Sequence, residues 1–124
     1  MDSMQALHQF WSGFGLKAYD ESTVPDGAMA VNNGKYLTYT VSEAYFDETD
    51  ALYASLWYKS TSWSEISQKA EEIGQAIGYG GKLVPFDGGV IWIKRGSPWA
   101  QRMSDEDDTI RRIYLIIEAE YLRI

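Results

Sequence analysis

Apolar residues fall at Ile66, Ala70, Ile73 and Ile77, and Gln68, Lys69, Glu71, Glu72 and Gln75 lie between them. At 3.6 residues per turn the first set shares one side of a helix and the second set the other. Ser62-Trp63-Ser64-Glu65 precedes this stripe as a capping-box sequence. The Ser62 hydroxyl is expected on the amide three residues on, with Glu65 reaching back to the cap amide. Gly78 ends the predicted helix and Gly80-Gly81 turns the chain. A shorter helix is predicted over Asp2–Ser12, where Met4, Leu7 and Trp11 share a stripe with Phe10 beside them. Asp2 or Ser3 would cap it, and Gly13 and Gly15 would stop it.

Elsewhere the period changes to two. Tyr36–Tyr45 reads as a strand with Leu37, Tyr39 and Val41 on one face, and Ala51–Lys59 as another with Leu52, Ala54, Leu56 and Tyr58. The short acidic link Phe46–Asp50 predicts a hairpin between them. Lys82–Phe86 and Val90–Arg95 flank Asp87-Gly88, a second hairpin signal, and Pro85 places its strand at an edge or keeps it short. The last strand, Thr109–Leu122, carries Ile113, Leu115, Ile117, Ala119 and Tyr121 on one face. Its other face holds Arg112, Tyr114, Ile116, Glu118 and Glu120. That second face still carries Ile116 and Tyr114, and a neighbouring subunit is one thing that could cover it. Leu16–Lys35 and Gly96–Asp108 read as irregular loops rich in turn residues. The predicted order is αββαβββ. It gives a single α+β domain over residues 1–124, a mostly antiparallel sheet with two helices packed on one face.

A chain of 124 residues is long enough for one ordinary core. Eighteen acids against eleven bases give a net charge of −7. An acidic chain is poorly suited to gripping nucleic acid, whose affinity comes from Lys and Arg neutralising phosphates. There is no cysteine, which removes disulfides, thiolate nucleophiles and Cys-based zinc sites together. The opening residues show neither a basic stretch nor an apolar run, and no segment approaches the length of a membrane span. The expectation is a soluble protein made and kept in the cytosol, with no membrane partner.

Candidate chemistry is sparse. His8 is the single histidine and has no partner motif, so a plain helix residue explains it better than a base or metal ligand. Asp105-Glu106-Asp107-Asp108 lacks the glycine and spacing of a calcium loop; it reads as a solvated turn, or as a negative surface offered to a neighbouring copy. Glu118 and Glu120 stand about 7 Å apart on a strand, a separation that superficially suits glycoside hydrolysis but occurs in any strand. They could instead pair with Arg111, Arg112 or Arg123. Gly78-Tyr79-Gly80-Gly81 follows a helix where a phosphate loop should follow a strand. Neither a catalytic set nor a cofactor is implied. Aromatics make up 15% of the chain, with five Trp and nine Tyr. Trp57, Trp63, Trp92 and Trp99 could stack on sugars, as in a carbohydrate-binding module, or simply pack. The segment Lys94–Arg102 gathers Arg95, Trp99 and Arg102, the residue types most enriched at binding hot spots. Those three, with Asp105, Asp107 and Asp108, are the candidate protein-interface residues.

Three runs carry a resemblance. They are Trp57–Ala70, Pro85–Gly96, and Gln101-Arg102-Met103 with Asp107–Arg112; Phe10-Trp11 and Tyr19-Asp20-Glu21…Val24-Pro25-Asp26 also fit. Together they resemble the small tail terminator proteins of long-tailed phages and prophages of Gram-positive bacteria, which are similar in fold to the phage lambda tail terminator. The stretch Ala28–Lys35 departs from the pattern, being longer and richer in turns. The resemblance implies a non-enzymatic virion protein assembled in the host bacterial cytoplasm. Its copies would close into a ring, expected to be sixfold, that caps the tail tube at its final length. The implied partners are further copies, the major tail tube protein and a head-completion or neck protein. DNA would pass through the lumen without specific binding. The alternative in the same setting is another neck component, such as a head-tail joining protein.

Overall fold

The computed structural model describes residues 1–42 and 48–123. Its strands are β1 (Ala18–Asp20), β2 (Lys35–Tyr39), β3 (Thr49–Lys59), β4 (Lys82–Phe86), β5 (Gly89–Met103) and β6 (Ile110–Arg123). They form one sheet in the order β1-β2-β3-β6-β5-β4. Every neighbouring pair is antiparallel except β1 with β2. The helices are α1 (Ser3–Ser12), a single turn α2 (Ala28–Val31) and α3 (Ser64–Ile77). The protein is therefore α+β, with the two longer helices on one face of a mixed, mostly antiparallel sheet.

The alternation in the strands builds the core. Leu52, Ala54, Leu56 and Tyr58 of β3, Ile91 and Ile93 of β5, and Ile113, Leu115, Ile117, Ala119 and Tyr121 of β6 all point to the helical face. They meet Leu7, Phe10 and Trp11 of α1 and Ile66, Ala70, Ile73 and Ile77 of α3. Each fully buried Leu or Ile contributes roughly 1.5–3 kcal/mol. Register locks the rows together: Leu56 lies opposite Ile113, Leu52 opposite Ile117, and Ile93 opposite Ala119. A slip by one residue would turn a whole row outward, so the core specifies the pairing.

Four local features differ from the sequence expectation. The capping box forms at α1, where the Asp2 carboxylate accepts from the Gln5 amide at 2.8 Å and the Gln5 side-chain oxygen accepts from the Asp2 amide at 3.0 Å. It does not form at α3. There the Ser62 hydroxyl accepts from the Ser64 amide, one residue too early, and Glu65 turns instead to Lys35 at 3.0 Å. The preceding Ser60 hydroxyl takes the Ser62 amide in the same way, so two successive serine turns carry the chain into the helix. The expected loop Leu16–Lys35 contains β1, which pairs in parallel through Ala18, Tyr19 and Asp20 with Leu37, Thr38 and Tyr39. The crossover holds α2 and a 3-10 turn at Glu21–Thr23, and the Asn32 amide donates to the Tyr19 hydroxyl at 2.9 Å. A three-residue strand is too short for alternation to show.

The fourth difference bears on function. Gly96–Asp108 is not one loop, because β5 continues to Met103. Pairing with β6 breaks between Arg95 and Ala100 and then resumes, with Ala100 opposite Leu115 and Arg102 opposite Ile113. The extra residues form a bulge, a device that bends a strand and re-aims its side chains. β4 accompanies β5 only as far as Ile93. The outer edge of Lys94–Met103 therefore has no strand beside it among the described residues. The expected strand Tyr36–Tyr45 is observed as Lys35–Tyr39; its last three residues, and part of the link Phe46–Asp50, fall in 43–47, outside the described residues.

Candidate functional site

The bulge brings Arg95, Trp99 and Arg102 into one groove. It lies between β5 and α3, encloses about 430 Å3, and is also lined by Glu71, Gly74 and Gln75. Gly74 makes it possible: a Cβ there would stand 2.9 Å from the Trp99 indole nitrogen, so only glycine lets the ring lie against the helix. Arg102 stacks over Trp63 at 4.9 Å and Arg95 over Tyr79 at 5.5 Å. The Ser67 hydroxyl at the floor is buried with no partner among the described residues. Trp99 and Arg102 thus reach the groove from a strand and not, as expected, from an irregular loop.

Asp105, Asp107 and Asp108 form the tip of the β5–β6 hairpin. Asp105 accepts from the Asp107 amide at 3.0 Å, and Asp107 accepts from the Thr109 amide and hydroxyl at 2.9 and 2.6 Å. The two Thr109 bonds hold the Asp107 carboxyl below the usual carboxylate range. Arg111 donates to the carbonyls of Asp108 and Thr61 at 3.0 and 2.9 Å. The Asp105 and Asp107 carboxylates therefore also shape the turn. The tip follows Met103 directly, so it shares an end of the hairpin with Arg102, while Arg95 lies nearer the middle.

The opposite face of the sheet carries a row that sequence reasoning described only in pieces. Tyr19 meets Tyr36 edge-on at 6.0 Å, and Tyr36 stacks on Trp57 at 6.1 Å. Arg112 lies over both Trp57 and Tyr114, at 4.6 and 5.5 Å. Tyr114 stacks on Tyr53 at 5.3 Å. The signal was present as alternate positions Tyr53-Ser55-Trp57 and Arg112-Tyr114. What joins them is the register, with Trp57 opposite Arg112 and Ser55 opposite Tyr114. The stacking leaves the row half-buried without any partner chain.

The four arginines Arg95, Arg102, Arg111 and Arg112 thus all lie over aromatic rings. Among the described residues none of them forms a salt bridge. Arg112 Nε donates to Ser55 at 3.1 Å, and neither Arg111 nor Arg112 pairs with Glu118 or Glu120. His8 is exposed on α1 and bonds through Nδ1 to the Tyr39 hydroxyl at 2.8 Å. No group of three possible metal ligands occurs among the described residues. The tryptophans form no common platform. Trp57 lies between Tyr36 and Arg112, Trp63 under two arginines, and Trp99 against α3. Trp92 donates to the Gly80 carbonyl at 2.8 Å, under the Lys94 ammonium. No described helix is long and apolar enough to cross a membrane.

The architecture, a six-stranded sheet with its two longer helices on one face and a long bulged β5–β6 hairpin, defines a class of fold shared with solved proteins. One chain of the virion of a native gene transfer agent particle superposes with a TM-score of 0.61 at 22% identity, over 95% of this chain and 90% of that one. A second solved chain, whose name describes no function, superposes at 0.64 with 12% identity, over 98% of this chain and 94% of that one. At these identities the likeness establishes the fold. No protein family model and no curated protein matches the chain.

Proposed function

We propose that the chain is a non-enzymatic structural protein of a phage-like virion, and that its copies form the ring that closes the tail tube at its final length. The carrying observation is the match, over nearly the whole of both chains, to a component of a gene transfer agent virion. It agrees with the tail terminator resemblance of the sequence. The partners are further copies of the chain, the tail tube protein on one side and a head-completion protein on the other. The protein resides in the tail or neck of the particle. The surfaces offered for assembly are the groove residues Arg95, Trp99 and Arg102 and the tip residues Asp105, Asp107 and Asp108. The tryptophan faces are already occupied by protein neighbours, which weighs against a carbohydrate-binding module.

Mixing the purified chain with the tube protein encoded by the same genome is expected to give rings seated on tube ends, visible by electron microscopy. Particles lacking the chain are expected to make tubes of uncontrolled length that do not join heads. A chain that stays monomeric with tube protein present contradicts the proposal. Binding to head proteins but not to tubes would favour a head-tail joining role.

A further inference from the structure

The groove and the hairpin tip are complementary in a way that neither satisfies alone. The guanidinium groups of Arg95 and Arg102 use their flat faces on Tyr79 and Trp63. Their in-plane N–H donors meet no acceptor among the described residues, and a stacked guanidinium is well placed to take a carboxylate edge-on. The one carboxylate lining the groove, Glu71, already accepts from Gln75 at 3.3 Å. The groove is thus a pair of open cationic forks in a chain of net charge −7. Four consecutive acids, Asp105 to Asp108, stand exposed at the hairpin tip. None is in a salt bridge among the described residues. Within one copy the tip is folded on its own amides and does not reach its own Arg95 or Arg102.

We infer that the groove between α3 and β5 receives the acidic tip 105–108 of a second copy of the chain. The inference rests on the ring reading and names the contact that builds the ring. Because groove and tip are different surfaces, each copy gives one and takes one. Such a head-to-tail contact propagates until it closes. The groove, at about 430 Å3, has the size of a site for a few side chains. Trp99 supplies an apolar wall beside the charges, which strengthens them by excluding water.

Two charge reversals test it: R95E with R102E on the groove, and E106K with D108K on the tip. Asp105 and Asp107 are left in place because they hold the turn through the Asp107 amide and through Thr109. Each double variant is expected to fold, by circular dichroism, and to stay monomeric in sedimentation under conditions where the unaltered chain assembles. A mixture of the two is expected to assemble with the variants alternating, since each junction then joins either an intact groove to an intact tip or a reversed groove to a reversed tip. Combining all four changes in one chain is expected to restore assembly, with the charges exchanged. Assembly by either double variant alone, or a mixture that stays monomeric, overturns the inference. So does an unaltered chain that never self-associates; if such a chain still forms rings on tube protein, the ring reading survives without this contact.

Discussion

Gly74 is a helix-interior glycine, normally unfavourable by about 1 kcal/mol against alanine. Its position under Trp99 gives the reason for that cost. Gly74→Ala is expected to leave stability within about 1 kcal/mol, the helix gain offsetting a displaced indole. The Trp99 indole resonance should shift in an NMR spectrum and the groove should lose its wall. Gly81 is a contrasting case, with φ of +85° and a would-be Cβ 2.6 Å from the Ile93 carbonyl oxygen. Gly81→Ala is expected to lower stability by roughly 1–3 kcal/mol in denaturant melts, because backbone cannot yield as a side-chain tip can. Tyr58 sets the alkaline limit. Burial, then Glu65 and Glu72, push its pKa up to about 12 from the ordinary 10. Folding therefore favours the protonated phenol. That contribution is complete below about pH 10 and is lost as pH rises from 10 towards 12. Tyr36, Tyr39, Tyr114 and Tyr121 shift the same way, burial first in each. Stability should fall across that window in step with tyrosinate absorbance, and Tyr58→Phe should flatten the slope.

At the level of elements, legibility followed length and regularity. α3, β3 and β6 were plain in the sequence because several turns or alternations repeat the same message. The α3 cap was misread because Ser60, Ser62 and Ser64 offer competing hydroxyls three residues running by twos, and local geometry chose among them. β1 was hidden by its three residues and by a partner, β2, that lies across a crossover. The bulge was hidden because Gly96-Ser97-Pro98 reads as a turn, while the register of β6 carries β5 past it. The candidate residues Arg95, Trp99 and Arg102 were legible by type. Their meeting in one groove was not, since Gly74 speaks only once α3 and β5 are packed. The cap that does form is testable: Asp2→Ala should destabilise the protein by about 1 kcal/mol and speed hydrogen exchange at the Gln5 amide.

For the whole molecule, the distribution of charge separates folding from assembly. Among the described residues the three salt bridges lie at the surface, with only Lys69 half-buried, and such pairs contribute little, about 0–1 kcal/mol each. The core is apolar and sits on one face of the sheet. Raising salt should therefore leave the thermal midpoint almost unchanged while weakening association of copies, which sedimentation at graded ionic strength would show. If both respond alike, the contact between copies is apolar and lies elsewhere, with the aromatic row Tyr36–Trp57–Arg112–Tyr114–Tyr53 as the next surface to examine.

β5 outruns β4 by ten residues, Lys94 to Met103. A bare strand edge is a template on which any passing extended chain can nucleate a fibril. Here the exposed stretch is guarded. Gly96 and Pro98 break its line, Pro98 offers no donor, and Lys94, Arg95 and Arg102 charge it. The same irregularity that shapes a groove also keeps the protein from polymerising in the wrong direction. A chain with Ser97 and Pro98 replaced by valine would be expected to precipitate as cross-β aggregate, even with its core intact.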